Sequence, residues 1–169
     1  MTLEGRGPVL EAAREVSRIL ADAGVRAAVV GGVAVGLHGH LRTTRDVDLL
    51  IDDELADATA ALSAAGYAYD PRRREFSVAG VPVHLVTTED AGGSPTRLTT
   101  IEGIVTVGLA DLIAMKLHSG LSSILRAQDV ADVIGLIRAR RLRSDFAARL
   151  RPGLRREFRT LARAVERGR

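Results

Sequence analysis

Two aspartates, Asp46 and Asp48, stand at i and i+2 in the segment RTTRDVDLLI, which begins at Arg42. On an extended strand this spacing turns both carboxylates to one face and leaves Val47 and Leu49 on the other. Paired carboxylates of this kind are hard oxygen ligands, suited to a divalent cation such as Mg²⁺ or Mn²⁺. Upstream, an apolar run ends in Gly31-Gly32. Glycines at a strand end let the backbone turn tightly and approach a ligand without a Cβ in the way. The amides that follow would be the unpaired N–H groups of a short helix starting near Val33, where a phosphate oxygen can sit. Taken singly, a Gly-Gly turn is common and a D-x-D is usually a solvated strand end. Together they describe a phosphate cradle beside a metal pair.

Arg42 lies in the loop leading to that pair. A guanidinium there could steady a triphosphate through charge-assisted hydrogen bonds, with Thr43 or Thr44 bonding to the same group. His38 and His40 flank Gly39 after the glycine turn, where they either touch substrate or pack behind it. Lys116 is the chain's only lysine. A lone lysine at the rim of an apolar helix commonly reaches for solvent along its own stem, and His118 faces another side of the same helix.

The string GGVAVGLHGHLRTTRDVDLL resembles the signature of the nucleotidyltransferase superfamily, the DNA polymerase β-like fold, in which Gly-Gly or Gly-Ser precedes D-hydrophobic-D. It is similar to small bacterial nucleotidyltransferases that include abortive-infection toxins and their relatives. A second string, ADLIAMKLHSGLSSILRAQDVADVIGLI, is similar to the C-terminal helical part of the same enzymes. The resemblance implies an α+β fold with a mixed sheet of four or five strands, flanking helices and a helical C-terminal half. It implies metal-dependent transfer of a nucleoside monophosphate from an NTP to a hydroxyl, with Asp46 and Asp48 holding the ion. Gly31, Gly32, Arg42, Thr43 and Lys116 would bind nucleotide, and the aspartates after Lys116 would organise a helix contact. The implied acceptors are a tRNA 3′ end, a partner protein's side-chain hydroxyl or a small hydroxylated molecule, and a toxin–antitoxin role follows from the relatives.

In that family the strand matching Val83-His84-Leu85-Val86 brings a third carboxylate to the metal pair, and here the position holds His84. A neutral imidazole can accept a proton near neutral pH and can also ligate Mn²⁺ or Zn²⁺, so it can stand in for the missing acid. The substitution can equally mark a degenerate site that binds nucleotide, or pairs with a partner protein, without transfer. Alternatively the register differs and Glu75, Glu89 or Asp90 supplies the acid.

The elements needed to position these groups are readable from periodicity. Residues 8–23 carry Val9, Ala13, Val16 and Leu20 at helical spacing after a Pro start, with Gly24 as the stop. Residues 25–30 form a continuous apolar run, as in a central strand covered on both faces. A short helix over 31–39, a strand over 46–51, and a helix to residue 65 capped by Asp52-Asp53-Glu54 follow, the acids suiting its N-terminal dipole. Residues 74–79 and 82–86 read as a hairpin turning at Gly80. The polar stretch 94–100 reads as a loop, 104–107 as an edge strand, and 109–121 and 129–140 as amphipathic helices.

At 169 residues the chain reads as one compact domain, with a core over 1–108 and a helical part over 109–169. It has no cysteine, which excludes disulfides, a thiolate nucleophile and a Cys-bearing zinc site. Its apolar runs are too short for a bilayer, and Met1-Thr2-Leu3-Glu4 begins no signal peptide, so the expectation is a cytoplasmic protein. Residues 138–169 hold twelve arginines against Asp145, Glu157 and Glu166, a net of +9, whereas residues 1–137 carry a net of −6. Such a block can be a footprint for RNA, or simply a solvated helix face in an arginine-rich protein. A homodimer or a partner protein remains open.

Overall fold

A computed structural model describes residues 7–52 and 54–168. The chain's first four residues and Asp53, on which two of the sequence readings rest, lie outside that range. Helix α1 spans Gly7–Asp22 and buries Leu10, Ala13, Val16 and Leu20. It ends at Gly24, whose φ of 70° is the left-handed conformation in which glycine meets no Cβ penalty. Strand β1, Ala27–Val30, runs straight into α2, Gly31–Leu37, and β2 covers Val47–Ile51. Helix α3, Leu55–Ala64, follows. Its expected acidic cap is not formed by the described residues: Glu54 makes no side-chain capping bond, and Asp52 pairs instead with Arg26 at 2.6 Å.

The remaining strands are β3 (Tyr69–Asp70), β4 (Glu75–Val78), β5 (Val81–Thr87), β6 (Leu98–Ile101) and β7 (Ile104–Val107). They form one mixed sheet in the order β3-β4-β5-β2-β1-β7-β6. β1 is central, as its apolar run suggests, lying antiparallel to β2 and parallel to β7. The fold class is as expected, but the sheet has seven strands rather than four or five. Two short strands account for the difference. The end of the supposed loop over 94–100 is β6, so β7 is an interior strand and β6 the edge. Glu102 and Gly103, with φ of 51° and 77°, close the β6–β7 hairpin in two residues, and Ala79-Gly80 closes β4–β5 in the same way. β6 is only half-buried, so its apolar signal is weak.

Strand alternation divides the interior in two. Val29, Val47, Leu49, Ile51, Phe76, Val83 and Leu85 pack with α1 and α3 on one face. Ala28, Val30 and Leu50 pack with the C-terminal helices on the other. Those helices are α4 (Leu109–Ser122), α5 (Ala127–Ala139) and α6 (Pro152–Arg167), with short 3-10 turns at Ile124–Arg126 and Ser144–Arg149. Among the described residues, no helix is long and apolar enough to cross a membrane.

Candidate functional site

Because Val47, Leu49 and Ile51 take the α1 side, Asp48 and Leu50 must face the C-terminal helices, and Asp46 shares their parity. β5 obeys the same rule: Val83 and Leu85 go one way and His84 the other. β2 and β5 are parallel, and their register sets Asp48 beside His84. The antiparallel β4–β5 register sets Glu75 on the other side of His84. Asp48, His84 and Glu75 thus form a row across three adjacent strands, on the face that looks toward α4.

Asp46, Asp48 and His84 each offer a ligand atom, and these atoms lie within 4.8 Å of one another. His84 Nδ1 is 3.4 Å from Asp48 Oδ1 and 3.7 Å from Asp46 Oδ2, while Nε2 is 2.9 Å from Glu75 Oε2. Thr44 Oγ1 donates to Asp46 Oδ1 at 3.2 Å. Burial, and after it the like charge of Asp46, push the Asp48 carboxyl above its ordinary range, with His84 and Lys116 pulling the other way. Two half-buried carboxylates and a ring nitrogen around one point form a donor set that fits a divalent cation. A cation there would relieve the repulsion between the aspartates.

Gly31 makes this arrangement possible. Its φ is 63°, and a Cβ at that position would collide with the Asp48 carboxylate. Gly32 has a different duty: a Cβ there would come within 2.7 Å of Thr44 Oγ1 and 3.0 Å of Arg42, so it seats the loop that leads to the aspartates. Val30, Gly31, Asp48, His84, Lys116 and Asp129 line a single cleft of about 440 Å³, within the usual range for small-molecule sites.

The two expected phosphate-binding cations are engaged by carboxylates. Lys116 is buried, with Nζ 2.6 Å from Asp129 Oδ1 and 2.9 Å from Asp132 Oδ2. Asp132 is fully buried and also meets Arg42 Nε at 2.8 Å. Gln128 donates to Asp132 and Ser119 to Asp129. Burial alone would raise Asp132, but hydrogen bonds from Lys116 and Gln128 and the nearby guanidinium of Arg42 hold it below the ordinary carboxylate range. Arg42 therefore ties the 42–44 loop to α5. Thr43 is exposed, and Thr44 is the threonine that reaches the aspartates.

Other candidates fall away from the centre. His38 is buried and its Nε2 sits 2.8 Å from the Val107 carbonyl; burial pushes its pKa down. His40 packs over Gly135 and His118 over Gly92, each occupying the space a Cβ would take. Asp90 lines the cleft with Arg74, to which it pairs at 3.4 Å, and accepts a hydrogen bond from Thr87, but it is outside the metal-competent group. Glu89 is exposed and outside the metal-competent group. Glu75 enters not as a third acid on the pair but behind His84. The two-residue turn at Ala79-Gly80 is the sequence signal that fixes this register. Ser119 and Arg126 also line the cleft, and nothing in the sequence assigns either of them a role there.

No protein-family model and no curated protein matches the chain. Among solved structures it is similar to an antigenic nucleotidyltransferase-like protein from Paracoccidioides brasiliensis, with a TM-score of 0.55 and 16% identity over 77% of this chain and 75% of that one. Weaker likenesses are to a tRNA-processing enzyme in an apo form (TM-score 0.44, 17% identity, 83% of this chain) and to a tRNA nucleotidyltransferase complexed with a primer tRNA and an incoming ATP analog (TM-score 0.42, 15% identity, 73% of this chain). The chain spans less than half the length of these two, 44% and 43%. In fold, the chain is nucleotidyltransferase-like.

Proposed function

We propose that the protein is a metal-dependent nucleotidyltransferase, moving a nucleoside monophosphate from an NTP to an acceptor hydroxyl with release of pyrophosphate. The observation that carries this reading is that Asp48 and His84 line one cleft with Gly31, with Asp46 bringing a third ligand atom to the same point. Asp46 and Asp48 would hold Mg²⁺ or Mn²⁺. When bound, the ion would neutralise charge developing on the α-phosphate and lower the pKa of the attacking hydroxyl. Gly31 lets the backbone pass against Asp48, and the amides after Gly32 are the phosphate donors of this reading. Lys116 spends two of its three N–H donors on Asp129 and Asp132, leaving one for an anion in the cleft. His84 serves either as proton acceptor for the hydroxyl or as a third ligand.

For the acceptor, tRNA is favoured over a protein or small-molecule hydroxyl. Arg156, Arg159, Arg163 and Arg167 are exposed on α6 at helical spacing, a basic stripe suited to a phosphate backbone. The rival reading is a binding module, catalytically silent or part of a toxin–antitoxin pair; it draws on the imidazole at the place of a third carboxylate. The deciding experiment supplies each labelled NTP with Mg²⁺ or Mn²⁺ and a total tRNA pool, then partner-protein and small-molecule acceptors. Labelled acceptor that disappears in Asp46→Ala/Asp48→Ala is the expected result. Nucleotide binding with no label under either ion supports the module.

A further inference from the structure

His84 presents its two ring nitrogens to different surroundings. Nε2 is 2.9 Å from Glu75 Oε2, and Glu75 in turn meets Arg73 at 3.6 Å through its other oxygen. An ionised carboxylate only accepts hydrogen bonds, so this contact puts a proton on Nε2. In the neutral ring the lone pair is then on Nδ1. That atom stands between Asp48 and Asp46 at 3.4 and 3.7 Å, both longer than the roughly 2.7–3.2 Å of an ordinary N–H···O hydrogen bond. These spacings suit atoms converging on a shared centre better than a ring donating to either carboxylate. A histidine that donates its far N–H to a carboxylate is held in one tautomer and made a better ligand through its near nitrogen.

We propose that Asp46, Asp48 and the Glu75-braced Nδ1 of His84 form a centre selective for first-row transition ions, Mn²⁺, Co²⁺ or Zn²⁺, over Mg²⁺, with Glu75 as the positioning residue. Mg²⁺ demands oxygen ligands and dehydrates reluctantly, whereas imidazole suits the later ions, so exchanging a carboxylate for a ring nitrogen shifts affinity away from Mg²⁺. The register makes the device intrinsic to the sheet: Glu75 is opposite His84, and His84 is beside Asp48. The inference rests on the metal site of the proposed transferase but not on transfer itself.

The test is titration of the purified metal-free chain with Co²⁺, followed by its visible absorption and by calorimetry, with the other ions as competitors and no nucleotide present. Co²⁺ is expected to be displaced by Zn²⁺, and by Mn²⁺ in excess, but not by Mg²⁺ in the same excess. Glu75→Gln should weaken Co²⁺ binding about 10–100-fold, as loss of a carboxylate partner does at other histidine-ligated sites, and Glu75→Asp should recover part of it. His84→Asp should turn the preference toward Mg²⁺, with thermal melting of each metal-free variant confirming the fold. Equal competition by Mg²⁺, or an unchanged Co²⁺ spectrum in His84→Ala, overturns the proposal. Transfer by the unaltered chain with Mg²⁺ as readily as with Mn²⁺ would overturn it while leaving the transferase reading intact. Selective Co²⁺ binding without transfer under any ion would uphold it and remove that reading instead.

Discussion

Asp48 and His84 on the sheet, with Asp46 just ahead of β2, and Lys116, Asp129 and Asp132 on the helices belong to the same side of the fold, yet their charges are balanced differently. On the sheet, the ion-pair partner of the two aspartates among the described residues is His84, and all three side chains are about one-third exposed or more. On the helices, Asp132 is fully buried and is met by Lys116, Arg42 and Gln128. A buried carboxylate with its partners supplied is complete, and its role is to join α4, α5 and the 42–44 loop. A pair of half-buried carboxylates whose ion-pair partner among the described residues is an imidazole has room to accept a cation. Proximity to the cleft therefore does not by itself make a polar residue part of the chemistry.

Breaking each cluster separates the two roles. The largest effect is expected for Asp132→Ala, which takes the carboxylate from Arg42 and leaves Lys116 with Asp129 alone: removing one member of a buried ion pair costs about 3–5 kcal/mol, read as a fall in the urea midpoint. A loss below about 1 kcal/mol, the scale of an exposed pair, would mean the network contributes little. Gly31→Ala comes next. A non-glycine residue held at positive φ costs roughly 1–3 kcal/mol, and the added Cβ must also displace Asp48, so divalent-ion affinity should fall by more than Gly32→Ala causes. Equal loss in the two variants, measured by calorimetry, would cancel the distinct roles of the glycines.

The smallest and sharpest effect is in pH dependence. Asp48 has its folded-state pKa raised, so its charge opposes folding at neutral pH, and the opposition fades as pH falls through that pKa. In EDTA, Asp48→Asn should therefore melt slightly above wild type at pH 7, by no more than the roughly 2–4 °C that 1 kcal/mol represents at this chain length, and converge with it on acidification. Asp132 has the opposite sign. Its depressed pKa stabilises the fold above the ordinary carboxylate range, and that contribution is lost as pH falls through the folded value. Asp132→Asn should start below wild type and approach it in acid. Melting curves between pH 7 and pH 3 that move both variants in the same direction would contradict the comparison.

Much of this was legible beforehand for local reasons. The Asp46–Asp48 spacing on a strand, the glycine turn and the apolar run before it depend on period-two geometry and on backbone freedom, both of which act within a few residues. His84 was identifiable as the residue in place of an acid, and the Ala79-Gly80 turn carried the information that sets Glu75 opposite it. Strand β6 leaves little signal in the sequence because a half-buried edge needs few apolar residues. That Arg42 and Lys116 also meet carboxylates is not legible in the sequence, because a cation near a phosphate turn looks the same whether or not a distant aspartate pairs with it.

The sequence by itself determined the order of elements, the face shared by the paired aspartates and the need for glycine at the bend beside them, since each follows from dihedral freedom and side-chain alternation along a short stretch. Only the tertiary structure decided which charges meet. Asp132 lies ninety residues from Arg42 and Asp129 thirteen from Lys116, and no local periodicity records such pairings. They arise when helices α4 and α5 settle on the sheet and buried charge must find a partner.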